Sequence, residues 1–289
     1  LTFYFIQYIM ARQIFRKYTL FILSICHFIW GQISDFKIKE YFPLPERISE
    51  LGLKPTKFNW SIGNRFILID EVNNQIMNVN PIGNLSFPSG LSENSVYGQF
   101  IWAGIIPEGV GVVDRLENSI NYLDVRLNTN SVLDFSQKIY PEMAAVNSSG
   151  VVYLLSQTYN SIYTVEGSRF NSSPFIDFTK ERLPSNCFID MSLNDNSDLF
   201  LLGCDGIAYV FSLNGKLKTS MPASINDPKH VIAIGDDWLV LNDNGIALSI
   251  NTNIKYGLPQ SCTPIMDVQS KNSSIAILSL NQILILDVK

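Results

Sequence analysis

Downstream of residue 31 the chain holds one imidazole, His230, and that alone narrows its chemistry. A Ser-His-Asp or Cys-His nucleophile would have to be built on this single side chain, with partners drawn from distant segments. A zinc centre with several histidine ligands is excluded. No G-x-S-x-G elbow, Walker loop or G-x-G-x-x-G fingerprint occurs, and the glycines of GVGVVD at 109–114 open a strand rather than a helix. Oxygen chemistry remains. Glu142, Asn186, Asp190 and Asp267 lie in or just before short apolar runs, and together they could offer hard ligands to Ca2+ or Mg2+. Asn59 and His230 hold corresponding places in their own runs. The competing expectation is that these groups pair with each other or with water, and no resident cofactor is implied. His230 follows Pro228-Lys229; it could act as a general acid or base near neutrality, or simply hold a loop.

What would bring these residues together is a repeat. LIDEVNNQIMNVN (68–80), VVDRLENSINYLDV (112–125) and LLSQTYNSIYTV (154–165) share one design: an apolar run, a polar turn, an Ile, and a second apolar run. The marker Ile recurs as Ile76, Ile120, Ile162, Ile207, Ile246 and Ile283, a period of about 40 residues. The later turns tighten to Asp-Gly, Asn-Gly and Asn-Gln, and the first two are strong hairpin signals because both turn positions need positive φ. The runs are short and rich in Val, Ile, Leu, Tyr and Phe, so they predict strands. A weaker run precedes each hairpin (58–62, 100–105, 143–146, 188–193, 231–234, 265–268), and further runs follow the first four. Four short strands per repeat is the arithmetic of a β-propeller blade. The sixth hairpin ends the chain without its outer strand, and SDFKIKEYF (34–42) can supply one. The expectation is an all-β, six-bladed propeller with four-stranded antiparallel blades, its ring closed by the mature N-terminal strand.

The Asp-x-x-x-Asn-x-Ile hairpins at 70–76 and 114–120, and the weaker copy from Ser156 to Ile162, resemble those of six-bladed propellers of the NHL and TolB-like kind. That resemblance implies the fold; it does not select among the hydrolases, dehydrogenases, receptors and scaffolds that the fold hosts. The fold is also similar to that of metal-dependent lactonases, which would place a calcium-type hydrolase site in the central channel. A quinone-dependent redox site ranks behind both, since His and Arg are scarce near the inner strands. In a propeller the inner strands converge on a channel, which would gather Asn59, Glu142, Asn186, Asp190, His230 and Asp267 at its mouth. The long turns of the first three blades carry Glu71, Asn73, Arg115, Glu117, Gln157 and Tyr159, and should project on one face as recognition loops. Trp60, Trp102 and Trp238 are expected between blades, with a stacking surface for sugars or peptides as the alternative.

The ends and the composition set the compartment. Met10 begins MARQIFRKYTLFILSICHFIWGQ, a basic segment and an apolar core that read as a signal peptide over residues 1–31, leaving one propeller domain over 32–289. The apolar stretch falls short of a membrane span, so an uncleaved anchor is the lesser alternative. A periplasmic or secreted chain follows, and a disulfide becomes permissible. Cys187 and Cys204 could pair, or all three downstream thiols could be buried and free. Asn59, Asn84, Asn147, Asn171 and Asn272 begin N-x-S sequons. The net charge of −5 and the lack of any basic run argue against nucleic acid. The sequence thus points to an exported, monomeric, non-catalytic propeller that binds an envelope protein, peptide or glycan; the metal-dependent hydrolase is the alternative.

Overall fold

The computed structural model describes residues 34–63, 65–80, 82–88, 98–183 and 187–287; the proposed leader and Asn186 lie outside them. Strands β1 (Ser34–Asp35) and β2 (Lys37–Pro43) come first, followed by helix α1 (Glu46–Glu50). Blade 1 then contains β3 (Lys57–Trp60), β4 (Phe66–Asp70), β5 (Gln75–Val79) and β6 (Leu85–Ser86). Blade 2 contains β7 (Phe100–Ile106), β8 (Gly109–Asp114), β9 (Ser119–Leu123) and β10 (Thr129–Asp134). Blade 3 contains β11 (Met143–Val146), β12 (Val152–Ser156), β13 (Ser161–Glu166) and β14 (Arg169–Asp177). Blade 4 contains β15 (Phe188–Leu193), β16 (Leu199–Gly203), β17 (Ile207–Phe211) and β18 (Leu217–Pro222). Blade 5 contains β19 (Pro228–Ile234), β20 (Asp237–Asn242), β21 (Ile246–Ser249) and β22 (Lys255–Gly257), and blade 6 contains β23 (Asp267–Lys271), β24 (Ser274–Leu278) and β25 (Gln282–Asp287).

Within each of the six sheets, strands consecutive in sequence form an antiparallel meander that runs from inner to outer. Blade 6 takes its fourth strand from the other end of the chain: β2 pairs antiparallel with β25, from Lys37 opposite Asp287 to Pro43 opposite Gln282. This is the closure that the run at 34–42 predicts. One feature was not legible. Ser34 and Asp35 of β1 add in parallel to Tyr256 and Gly257 at the outer edge of blade 5, so the N-terminal segment ties two blades. Among the described residues no helix is long and apolar enough to cross a membrane.

The alternating pattern expected of a half-exposed strand is missing from the second and third strands, and the reason is stacking. Both faces of a blade are covered by neighbours, so FILID, SINYL, VYLLS and LFLLG are buried at every position. Six apolar clusters fill the six interfaces between blades. Phe58, Phe66, Ala276 and Ile283 join blades 1 and 6, and Phe200, Val231 and Trp238 join blades 4 and 5. Trp102 lies within the cluster between blades 2 and 3, and Trp238 meets Phe200 at 5.1 Å between ring centres. These two tryptophans are core side chains. Trp60 is half-buried against Phe66, with the Lys271 ammonium 5.2 Å above its ring.

Candidate functional site: the hairpin face and the channel mouth

The register of the inner strands places one residue per blade at the same depth. Lys57, Trp102, Met143, Asp190, His230 and Asp267 pair with Ile69, Val113, Leu155, Leu202, Leu241 and Leu278, each the last residue or last but one of its second strand. Three of them reach the next blade. The Lys57 ammonium donates to the Ile101 carbonyl at 3.2 Å. Asp190 accepts from the Val231 N–H of blade 5 at 2.7 Å and from the N–H of Met191 at 2.8 Å. Asp267 accepts from the Phe58 N–H of blade 1 and from the N–H of Val268, both at 2.8 Å. Inner strands of neighbouring blades do not form a ladder with one another, so these carboxylates satisfy N–H groups that would otherwise face the channel.

The channel inside this layer has a volume of about 300 Å³ and is lined by Lys57, Asn59, Trp102, Asp190, His230 and Asp267 among others. Removal from bulk water pushes the Asp190 carboxyl up to about 7; the Val231 bond opposes this and the charge of Asp267 adds to it. Asp267 is pushed up to about 6 by the same cause, against its bond from Phe58 and the nearby Lys57 ammonium. Burial draws His230 down to about 4, although Asp243, 3.7 Å from its Nε2, pulls the other way. At neutral pH the imidazole is therefore uncharged.

Glu142 lies outside this lining. It accepts from the Gln157 N–H at 2.8 Å and faces Arg115 at 3.5 Å, and burial raises its carboxyl. The structure thus brings Asp190, His230 and Asp267 into one layer with Lys57, and sets Glu142 on the rim. Among the described residues no three His, Cys, Asp or Glu side chains stand close enough to share a metal ion.

The two sets of residues singled out in the sequence lie on one face. Antiparallel order puts each hairpin turn between second and third strands at the end where inner strands begin. Glu71 accepts from Lys57 at 2.9 Å and from the Thr56 hydroxyl at 2.7 Å, and Arg115 bridges Gln99 and Glu142. Asn73 donates to Asp70 at 2.7 Å. Glu117 is exposed, and Tyr159 is exposed with its ring edge-on to Tyr163.

The side chains that hold this face were visible only as repeat markers. Asp70 is fully buried and accepts from the N–H groups of Lys54, Val72 and Asn73. Burial raises its carboxyl, but the Asn73 side-chain amide and, after it, those N–H bonds outweigh burial and hold it below the usual range. Asp114, equally buried, accepts from Gly98, Gln99 and Glu117. The Asn of the same motif stands in the left-handed region at Asn74, Asn118 and Asn160, a conformation Asn tolerates well. Its side chain then latches the chain ahead: Asn74 accepts from Phe100 of blade 2, and Asn118 accepts from Ile139 and Tyr140. Asp-x-x-x-Asn is thus a structural clasp that the spacing alone advertised. In blade 4 the corresponding place is Gly203, and the disulfide Cys187–Cys204 joins the incoming chain to the hairpin. The third thiol, Cys262, is buried and free.

No protein-family model matches the chain, and no curated protein matches it. Solved structures do. Virginiamycin B lyase from Staphylococcus aureus is 12% identical over 80% of each chain, with a TM-score of 0.58. A PQQ-bound aldose sugar dehydrogenase from Streptomyces coelicolor is 9% identical over 88% of this chain and 98% of that one, at 0.56. BBS1N, solved in complex with ARL6DN, is 8% identical over 81% and 78%, at 0.55. At these identities the likeness is one of fold, a propeller used by enzymes and by a protein-binding module alike.

Proposed function

We propose that this chain is an exported propeller that binds a protein partner through its hairpin face. The observation that carries the reading is the set of apolar tips around the channel mouth. Val72 (82% exposed), Leu116 (57%) and Tyr159 (45%) crown the long turns of three successive blades, and Leu280 (67%) crowns the turn of blade 6. The tips of blades 1–3 stand on turns fixed by buried Asp70, Asp114 and Ser156, so that part of the surface is preorganised and costs little entropy to dock. Apolar side chains also emerge on the far face, as Ile82, Val125, Leu213 and Ile254. Those sit in turns leading to outer strands, and Ile62 (55% exposed) is a single exposed apolar residue in an inner turn there, whereas the hairpin tips run over four consecutive blades, 6, 1, 2 and 3. BBS1N supports the reading as a propeller of the same architecture that holds a protein. The disulfide and the leader-like N-terminus favour export.

A photo-crosslinking residue at Val72 or Leu116, in the source cell, should yield one discrete protein adduct. The same residue at Leu213 or Ile254 should not. Adducts from the far face alone, or none from either face, would overturn the assignment.

A further inference from the structure

We infer that Asn84 and Asn272 are acceptors for N-linked glycans, which cover the far face of blades 1 and 6 and leave the hairpin face bare. The inference rests on the export reading given above. Five N-x-S sequons occur, and the fold treats them differently. Asn59 lines the channel, where a Cβ on Gly104 would stand 3.0 Å from its Nδ2; a sugar has no room there. The Asn147 Nδ2 donates to the Ser197 hydroxyl at 3.2 Å, and its Oδ1 accepts from Ser149 and Val151. The Asn171 Nδ2 donates to Thr164 at 2.9 Å. Asn84 and Asn272 are exposed, and no hydrogen bond among the described residues ties their side-chain amides.

Both lie in turns at the end opposite the hairpins: Asn84 just before β6 in blade 1, and Asn272 between β23 and β24 in the adjoining blade 6. Apolar surface beside them gives a second reason. Ile82, two residues before Asn84, is 81% exposed, and Ile62, in the blade 1 turn on the same face, is 55% exposed. Lys271, the neighbour of Asn272, reaches over Trp60, two residues before Ile62. Glycans rooted at 84 and 272 would stand over these side chains. The chemistry needs a sugar carried on a polyprenyl diphosphate by the export route. Nδ2 forms a bond to the sugar C1, the C1–O bond to the diphosphate breaks, Nδ2 loses one proton, and the diphosphate leaves.

The full chain should be made in a secretory host that N-glycosylates, once with its own leader and once behind the host's leader. Peptide N-glycosidase in heavy-oxygen water then marks occupied sites by mass. The expected result is occupancy at 84 and 272, with N84Q and N272Q each removing one glycan and the double variant removing both. Secreted, folded protein that is bare at both sites, or modified chiefly at 59, 147 or 171, overturns the inference. Secretion and modification only behind the host's leader would defeat the export reading and leave the site assignment standing.

Discussion

Blades 1–3 and blades 4–6 perform the same task with different chemistry. Every blade must fasten its hairpin to the chain entering its inner strand, because ring closure alone does not hold a turn in place. Blades 1 and 2 use a buried carboxylate, Asp70 or Asp114, and blade 3 a buried Ser156 hydroxyl that donates to the Ile139 carbonyl. Blade 4 uses the Cys187–Cys204 bridge, and blade 5 the Asn242 amide, which donates to Asn226. The channel layer divides in the same place. Lys57, Trp102 and Met143 come from blades 1–3, whereas Asp190, His230 and Asp267 come from blades 4–6. Blades 1 and 2 keep buried carboxylates at their turns, whereas blades 4–6 carry their buried titratable groups in the channel. Fold and clasp position are therefore constrained by geometry, while the clasp's chemistry is free to vary.

The largest break in this comparison should come from the polar half. Asp114→Ala removes a buried acceptor from three N–H groups and leaves those of Gly98 and Gln99 partly buried without it, a loss of about 3 kcal/mol. Thermal unfolding should fall by roughly 10 °C. Hydrogen exchange should rise first at 98–100 and 115–118, the segments the carboxylate joins. A shift under 2 °C would mean that the apolar interfaces hold the hairpin without it.

The covalent half should give a somewhat smaller effect. Cys187 and Cys204 are 17 residues apart, and closing a loop of that size stabilises by about 3 kcal/mol as an upper figure. Cys187→Ser with Cys204→Ser should lower the midpoint by about 5 °C. Raised exchange should be confined to the blade 4 hairpin, because β16 and β17 stay packed on both sides. Loss of protection spread across all six blades would show that the bridge is a global staple and not a local clasp.

The half with conspicuous motifs was the easier to read. The period, the inner strands and the closing strand followed from turn chemistry and apolar runs, since those signals are local. The role of Asp70 and Asp114 did not follow, because a carboxylate in a polar turn looks exposed until its neighbours are placed. Asp190 and Asp267 stood out as oxygen donors in inner strands, yet their acceptance of N–H groups from the next blade depends on a contact between segments far apart in sequence. The parallel pairing of β1 with β22 rests on two residues, too short a run to leave a pattern. Blade 4 shows the limit most plainly: Cys187 and Cys204 are one of two readings of its thiols, yet nothing local in GCDG says that their bridge stands where blades 1 and 2 use a carboxylate.

The smallest effect, and the one most specific to the titratable half, is a pH dependence. The Asp190 and Asp267 carboxyls are raised in the folded chain, to about 7 and about 6. Unfolded, they would titrate near 4. Their contribution to stability is thus fully present below about pH 4 and is lost as pH rises through 6 to 7. His230 works in the opposite sense. It is lowered to about 4, so its contribution is present above about pH 6.5 and is lost as pH falls through 4. Between pH 8 and 6.5 the carboxyls act nearly alone; between 6.5 and 4 two carboxyls oppose one imidazole, and raised Glu142 adds to the carboxyl side. The melting temperature should therefore climb by on the order of 5 °C from pH 8 to pH 5. Asp190→Asn should flatten the upper part of that climb, and His230→Gln should steepen the lower part. A midpoint that falls on acidification across this window would mean that both carboxylates stay ionised in the channel, held by their backbone bonds and Lys57 against the loss of water.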